Sequence, residues 1–453
     1  MITTSTNRRS SATDQLLGLL QDNRLGKEVG IYSICSANRF VLEASMDQAG
    51  KDDSLLLIES TSNQVNQFGG YTGQTPVQFA HSVYALADSM GFPKERLLLG
   101  GDHLGPHVWR KESSRQAMEK ACTLVKESVL AGYTKIHLDA SMHCADDPGS
   151  AKHALPDEIV SERAAQMCEA AEAAHGSLPD GSPKPVYVIG TEVPIPGGEL
   201  NEAAPPKITS TECIQTTIEI AKRAFAKRRL ESAWERVIAI VVQPGVEFGD
   251  ATVFPYDSSR NQPLAQFAVN HWQGVYEAHS TDYQTASALQ QMVKDHFGIL
   301  KVGPWLTFAF REAVFALAAI EEASLANHAG ITLSHVREEL ERAMLANPAY
   351  WKDYYHGDEN ALRHARQFSY SDRARYYWPQ PNVARALECL IANLTSHPPS
   401  IESLNQFLPR QAALLRHGQP LTTPNAIIRG KISEVLNIYS SACGARRQET
   451  PGC

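Results

Sequence analysis

A short apolar run, Arg96-Leu97-Leu98-Leu99, leads directly into the segment Gly100-Gly101-Asp102-His103-Leu104-Gly105-Pro106. The run is bounded by turn residues and predicts a buried strand. Asp102 and His103 are therefore expected together at the carboxyl end of that strand. The glycines around them permit a close backbone approach, and the proline ends the segment. An aspartate and a histidine at such a position offer a proton acceptor and a metal ligand.

Seven further runs of this kind lie within the first 310 residues, at 29–34, 54–59, 135–139, 186–190, 237–242, 275–279 and 299–303. Their continuous apolar character is typical of parallel strands that are buried on both faces. Helical patterns, with apolar residues three and four positions apart, lie between most of them. Eight strand–helix alternations predict an α/β protein with a (β/α)8 (TIM) barrel. The alternative is a doubly wound open sheet, although the first turn lacks a GxGxxG sequence.

The pattern changes after the eighth run. Residues 312–328, 333–345, 360–367, 382–394 and 427–441 all show helical periodicity, and no strand is predicted among them. We therefore expect three regions: a disordered tail at 1–13, the barrel at 14–311, and a helical extension packed on the barrel at 312–453. The tail is expected because its residues are polar and rich in serine and threonine.

Composition narrows the function classes. The 453 residues include 42 Lys and Arg against 50 Asp and Glu, a net charge of −8, which gives no reason to expect a nucleic-acid or anionic-membrane partner. The eight cysteines form no CxxC pair, which argues against a zinc ribbon and fits a reducing compartment. The longest apolar stretch, 305–320, is interrupted by Arg311 and Glu312. We expect a soluble, cytoplasmic protein.

Chemistry in a barrel lies where the strands end. His103 follows the third run, His279 ends the seventh, and Glu192 follows the fifth. Two imidazoles and one carboxylate suit an open divalent-metal site. Asp102 is the candidate base, or else a carboxylate that orients His103. Asp139, at the end of the fourth run, is either an acid/base partner or part of a hydrogen-bond network.

Candidate substrate-binding residues form two groups. Amides and hydroxyls follow the second and sixth runs, and they suit sugar hydroxyls or a phosphate. Arginines and a possible helix cap in the C-terminal region suit phosphate. The candidates are Ser62, Asn63, Gln64, Gln243, Arg311, Ser371 and Arg373.

Four segments carry a resemblance to a known family: ESTSNQVNQFGGYTGQTP at 59–76, GGDHLGP at 100–106, KVGPWLTFAF at 301–310 and YSDRARYYWP at 370–379. The chain resembles the tagatose-bisphosphate aldolase Z-subunit family, which includes tagatose-6-phosphate 4-epimerases. The resemblance spans about residues 30 to 445. It implies a barrel related to the metal-dependent class II aldolases and hexulose phosphates as substrates.

The resemblance implies one of two roles, an epimerase or a non-catalytic partner of an aldolase subunit, and the sequence bears on the choice between them. Compared with class II aldolase catalytic subunits, the chain lacks the glycine-serine phosphate loop after the seventh strand and the asparagine-containing loop after the eighth. Net aldol cleavage by this chain alone is therefore not expected. The favoured hypothesis is C4 epimerisation of a ketohexose 6-phosphate, which interconverts tagatose and fructose 6-phosphates by metal-assisted retro-aldol and aldol steps.

Other hypotheses stay open. One is a non-catalytic subunit that stabilises and activates a class II tagatose-1,6-bisphosphate aldolase. The other is a sugar kinase, although no GxxxxGK[ST] loop is present. The expected cofactor is a divalent metal (zinc, magnesium or manganese) without a nucleotide. The expected partners are a sugar phosphate, an aldolase catalytic subunit under the second hypothesis, and other copies of this chain in a homo-oligomer.

Overall fold

The computed structural model describes residues 11–149, 154–190 and 206–445, and its central feature is a closed barrel of eight parallel strands. The strands follow one another around the barrel in chain order, and the last pairs with the first. The strands of these residues are β1 (Ile31–Ile34), β2 (Leu56–Thr61), β3 (Leu97–Leu104), β4 (Lys135–Leu138), β5 (Val186–Ile189), β6 (Val237–Val241), β7 (Glu247–Phe248), β8 (Val253–Phe254), β9 (Val275–Ala278) and β10 (Ile299–Val302). Strands β7 and β8 form a small antiparallel pair outside the barrel, which the sequence did not predict. The predicted (β/α)8 barrel is confirmed.

Helices surround the barrel and make up its C-terminal part. In the described residues they are α1 (Ala12–Arg24), α2 (Arg39–Asp52), α3 (Pro76–Met90), α4 (Ser114–Leu130), α5 (Asp157–His175), α6 (Thr211–Lys227), α7 (Glu231–Trp234), α8 (Ser258–Asn270), α9 (Ala286–Lys294), α10 (Pro304–Leu325), α11 (Val336–Ala346), α12 (Glu359–Phe368), α13 (Pro381–Ser396), α14 (Ile401–Phe407), α15 (Pro409–Arg416) and α16 (Pro424–Ala442). Among these helices, none combines the length and apolar character that a membrane crossing requires.

The amino end of the barrel is filled by apolar side chains. Leu16 and Leu20 of α1 pack against Ile31, Leu98 and Ile299, which point into the barrel from their strands. A second and larger core lies between the strands and the surrounding helices. Because one end is packed shut, polar side chains inside the barrel can face an open cavity only at the carboxyl ends of the strands.

Strand β3 runs further than the sequence predicted. It continues through Gly100 and Gly101 to Leu104, so Asp102 and His103 lie on the strand itself rather than after it. Gly100 pairs with Glu59 of β2, and a Cβ there would lie 2.9 Å from the Glu59 side chain. The glycine pair therefore serves close packing inside the barrel and does not end the strand.

Two of the predicted region boundaries can be compared with the helices of the structure. Helix α1 begins at Ala12, capped by Ser11, so residues 11–13 of the predicted tail are ordered and only 1–10 lie outside the described residues. Helix α10 runs across the predicted boundary at residue 311. The last helix, α16, packs against α2, α9 and α10. The division into a barrel at 14–311 and an extension at 312–453 stays a prediction.

We expect Gly105→Ala to destabilise the protein by at least about 3 kcal/mol, because a Cβ at Gly105 would overlap the carbonyl oxygen of Asp139. Gly18→Ala is the matched control, since Gly18 is exposed within helix α1 and has open space around it. That change should stabilise the helix by about 0.5–1 kcal/mol. Thermal unfolding of both variants checks the expectation. A Gly105→Ala variant as stable as the parent would contradict the packing described.

Candidate active site

Five charged side chains lie inside the carboxyl half of the barrel. Lys301 Nζ lies 2.7 Å from Glu59 Oε2 and 3.0 Å from Asp102 Oδ1. Lys135 Nζ lies 2.8 Å from Glu59 Oε1 and 2.6 Å from Glu277 Oε2. All five residues are buried, and they come from strands β2, β3, β4, β9 and β10. Charges so far from water persist only when they are paired.

Two histidines extend this cluster toward the cavity. His103 Nδ1 lies 2.7 Å from Asp139 Oδ2, and His103 Nε2 lies 3.1 Å from Nδ1 of His279. The other ring nitrogen of His279 lies 2.9 Å from Glu277 Oε1. His103 has a left-handed backbone, with φ of 48°, which is uncommon outside glycine and occurs often at functional sites.

A third histidine, His137 on β4, faces the same interior. Its Nδ1 lies 3.2 Å from Asp102 Oδ1 and 3.2 Å from the backbone nitrogen of His103. Its Nε2 is buried and has no hydrogen-bond partner in the described part of the chain. A buried imidazole nitrogen without a partner is costly unless something unseen binds it.

The charges hold one another in their ionised forms. Burial raises the pKa of Asp102, but the Lys301 ammonium and the nearby imidazoles outweigh it and hold that pKa well below its ordinary range. Burial likewise raises the pKa of Glu277, and the Lys135 and Lys301 ammonium groups bring it well below the ordinary value. For His279, burial lowers the pKa to about 4, so the ring is neutral at pH 7.

The cluster carries a negative charge that a divalent cation would offset. Burial lowers the pKa of His103, but Asp102 and Asp139 outweigh it and raise that pKa above its ordinary value. Even with His103 as an imidazolium, the four carboxylates of Glu59, Asp102, Asp139 and Glu277 outnumber the two lysine ammonium groups and that ring by one charge. Four of the described side chains offer ligand atoms that all lie within 4.8 Å of one another: Asp102, His137, Glu277 and His279. Two imidazoles and two carboxylates suit zinc or manganese. This donor set and the orphaned nitrogen of His137 fit the expected metal.

A cavity opens beside the cluster. Its described lining includes four residues of the cluster: Asp102, His103, His279 and Lys301. Further polar and aromatic side chains also line it: Thr61, Asn63, Gln64, Tyr71, Ser280, Asp282, Arg375 and Tyr376. Its polar lining suits a hydroxyl-rich ligand.

The predicted catalytic and metal-binding residues are mostly brought together. Asp102, His103 and His279 share the cavity wall. Asp139 is buried behind His103, and its other oxygen accepts the Ser141 hydroxyl at 2.6 Å. His103 lies outside the group of four possible ligands, since its ring is held between Asp139 and His279. Glu192 lies outside the described residues.

The predicted substrate residues after β2 and β6 have different positions. Asn63 and Gln64 line the cavity. Ser62 is buried and donates its hydroxyl to the backbone oxygen of His103 at 2.9 Å, so it supports the strained strand end. Gln243 is not part of the described cavity wall, because its side chain accepts the backbone N–H of Gly245 at 2.8 Å.

The predicted phosphate-binding arginines are used within the protein. The Arg311 guanidinium is buried and donates to Asp372 Oδ1 at 2.7 Å. Arg373 is buried with its guanidinium over the ring of Tyr354. Ser371 is buried and donates to Asp250 at 3.1 Å. None of the three lines the described cavity, whereas Arg375 does. The sequence therefore pointed to a segment that reaches the cavity, but not to the residue of that segment that lines it.

Five residues of the cluster were not selected from the sequence as site residues: Glu59, Lys135, His137, Glu277 and Lys301. A signal for them was present, because each is a charged or titratable residue inside a predicted buried strand. Lysine and glutamate are almost never fully buried unless they are paired. When several predicted buried strands each contain a charged residue, those residues should therefore be expected to pair with one another.

The fold and the site define a class of protein: a (β/α)8 barrel with a buried carboxylate, imidazole and lysine cluster at the carboxyl ends of its strands. The model of the GatZ/KbaZ-like family, described as D-tagatose-1,6-bisphosphate aldolase subunit GatZ/KbaZ-like, matches residues 16–444. The chain belongs to this family.

The chain is also similar to solved structures. The chain is similar to a probable tagatose 6 phosphate kinase from Sinorhizobium meliloti 1021, with 42% identity and a TM-score of 0.82, over 91% of this chain and 100% of that one. A more distant match is the fructose-bisphosphate aldolase of Campylobacter jejuni, with 13% identity and a TM-score of 0.42, over 88% of this chain and 96% of that one.

We expect His279→Ala to lose at least about 90% of the divalent metal bound by the parent protein, because it removes one of four convergent ligands. His81→Ala is the control, since His81 is exposed on helix α3. Metal content is measured by mass spectrometry after dialysis against limiting Zn²⁺ or Mn²⁺. Equal metal content in both variants would contradict the site.

Proposed function

We propose that this chain is a ketohexose-6-phosphate 4-epimerase, which interconverts tagatose 6-phosphate and fructose 6-phosphate. The observation that carries the proposal is the buried set of acid/base groups on one cavity wall: Asp102, His103 and His279, backed by Lys301. Burying these groups costs free energy, which a subunit acting only as a support would have no reason to spend. The family description supports hexulose phosphates as the substrate class.

The chemistry requires one proton to move and one carbon–carbon bond to break and re-form. The C4 hydroxyl loses its proton, the C3–C4 bond breaks, and its electron pair moves toward the C2 carbonyl. The fragments are the enediolate of dihydroxyacetone and glyceraldehyde 3-phosphate. If the aldehyde turns before the bond re-forms, C4 has the opposite configuration. No atoms are gained or lost, so no redox cofactor is needed.

His103 is the best-placed group to move the C4-hydroxyl proton. The residue lines the cavity, and Asp139 holds its Nδ1 at 2.7 Å, which fixes the orientation of the ring. A carboxylate behind an imidazole is the usual arrangement of a general base in enzymes. Asp139 is then a positioning residue. Asp102, the sequence-based candidate base, is instead engaged by Lys301 and His137 through Oδ1.

The remaining ligands are placed to hold a divalent cation. Asp102, His137, Glu277 and His279 would bind it. When bound, such a cation supplies Lewis-acid polarisation of a carbonyl and stabilises negative charge on oxygen. The role of Lys301 and Lys135 is to keep the carboxylates ionised and fixed in place.

We expect His103→Gln to lower kcat for epimerisation by at least about 100-fold while metal content stays at the parent level, because the variant loses a proton carrier but no metal ligand. Tagatose 6-phosphate formed from fructose 6-phosphate is measured by chromatography with Zn²⁺, Mn²⁺ or Mg²⁺. Full activity in His103→Gln would contradict the assigned role. No epimerisation by the parent with any of these metals would contradict the proposed function.

The family description favours a second candidate, a subunit that activates a tagatose-1,6-bisphosphate aldolase. The two candidates give different results when the chain is assayed alone and mixed with an aldolase catalytic subunit. Epimerisation by the chain alone supports the first. Increased aldolase activity on mixing, with no epimerisation by the chain alone, supports the second.

A further inference from the structure

One wall of the cavity is filled by a carboxylate where barrel enzymes often bind phosphate. In (β/α)8 barrels the phosphate site is frequently formed by the loops after the seventh and eighth strands and a helix N-terminus. Here these loops follow β9 and β10, and helix α10 begins at Pro304. Asp282 Oδ1 accepts the backbone N–H groups of Gly303 at 3.0 Å and Trp305 at 2.8 Å. The chain's own carboxylate therefore takes the donors that a phosphate would use.

A different cation is available in the same cavity. Arg375 lies in a short 3₁₀ helix, Arg373–Tyr376, and lines the cavity with Tyr376. Its Nη1 donates to the backbone oxygens of Ser371 and Asp372, and its Nη2 donates to the Tyr376 hydroxyl at 2.9 Å. Those three bonds leave two of the five guanidinium N–H groups without an acceptor in the described residues.

The charge of Arg375 is also unpaired within the described chain. No carboxylate oxygen lies within ion-pair distance of its guanidinium among the described residues, and the neighbouring Asp372 is taken by Arg311. A fixed guanidinium with spare N–H groups, facing a polar cavity, is suited to bind a phosphate with two parallel hydrogen bonds. Its own bonds to the backbone hold it in place before a ligand arrives.

We propose that Arg375 binds the single phosphate of the substrate and that Asp282 excludes a second one, so that the site accepts hexose monophosphates and rejects bisphosphates. The inference rests on the proposed function for the identity of the sugar. Arg375 would then hold the glyceraldehyde fragment after the C3–C4 bond breaks, because the phosphate belongs to that fragment. A fragment held at its phosphate can turn its aldehyde without leaving the cavity.

The test measures binding rather than turnover. The probes are D-glucitol 6-phosphate and D-glucitol 1,6-bisphosphate, which have no carbonyl and cannot react. Calorimetric titration of the metal-loaded protein should show the monophosphate binding at least tenfold more tightly than the bisphosphate. Arg375→Gln should weaken monophosphate binding by roughly 10- to 100-fold, as expected for lost hydrogen bonds to a charged group. Arg363→Gln, an exposed arginine on α12, should leave binding unchanged.

Asp282 is tested by two substitutions. Asp282→Ser shortens the side chain and frees the N–H groups of Gly303 and Trp305, so it should reduce the preference for monophosphate to about threefold or less. Asp282→Asn keeps an acceptor oxygen in place and should retain the preference. If Arg375→Gln does not fold, Arg375→Lys replaces it, and a severalfold loss of affinity is expected because lysine lacks the two-pronged geometry.

Equal affinity of the parent for the two probes would overturn the inference, as would unchanged monophosphate binding in both Arg375 variants. An equal loss of preference in Asp282→Asn and Asp282→Ser would overturn the claim that the carboxylate acts by occupying the donors. The probes separate this inference from the proposed function. Selective binding without epimerisation contradicts only the function, and epimerisation with an unselective site contradicts only the inference.

Discussion

The contact between Lys301 and the carboxylates of Glu59 and Asp102 is the interaction on which the site depends. Each partner comes from a different strand, and all three are buried. Removing one member of such a set leaves an uncompensated charge in a region without water. The site therefore keeps its geometry only while Lys301 holds the side chains of these three strands together inside the closed barrel. The remaining two members, Lys135 on β4 and Glu277 on β9, form a further buried ion pair.

The histidines depend on this ionic frame. His137 is placed by Asp102, and His279 by Glu277, so each imidazole is oriented by a carboxylate that a lysine keeps ionised. His103 is held from the other side by Asp139 in a left-handed backbone that a neighbouring serine hydroxyl supports. The result is a set of neutral or polarised rings in fixed positions beside a cavity. Preorganised groups of this kind are what proton transfer and metal binding require.

Much of the fold could be predicted from the sequence, and less of the site. All eight barrel strands are visible as apolar runs, because burial on both faces leaves a continuous pattern. Asp102 and His279, which line the cavity, were selected from the sequence because strand ends in barrels carry chemistry. His137, Glu277 and Lys301 were missed as site residues because they lie inside the runs. Choosing Arg375 over Arg311 needs the long-range contact of Arg311 with Asp372, 61 residues away, which no local pattern contains.

The central claim is that the site breaks and re-forms the C3–C4 bond of a hexulose phosphate. Epimerisation of fructose 6-phosphate in D₂O, with the product examined by NMR, tests this most directly. A retro-aldol route keeps the original hydrogen on C4, because C4 becomes the aldehyde carbon and never loses it. We therefore expect tagatose 6-phosphate with no deuterium at C4. Deuterium at C4 would show that a proton is removed from that carbon, and it would contradict the account.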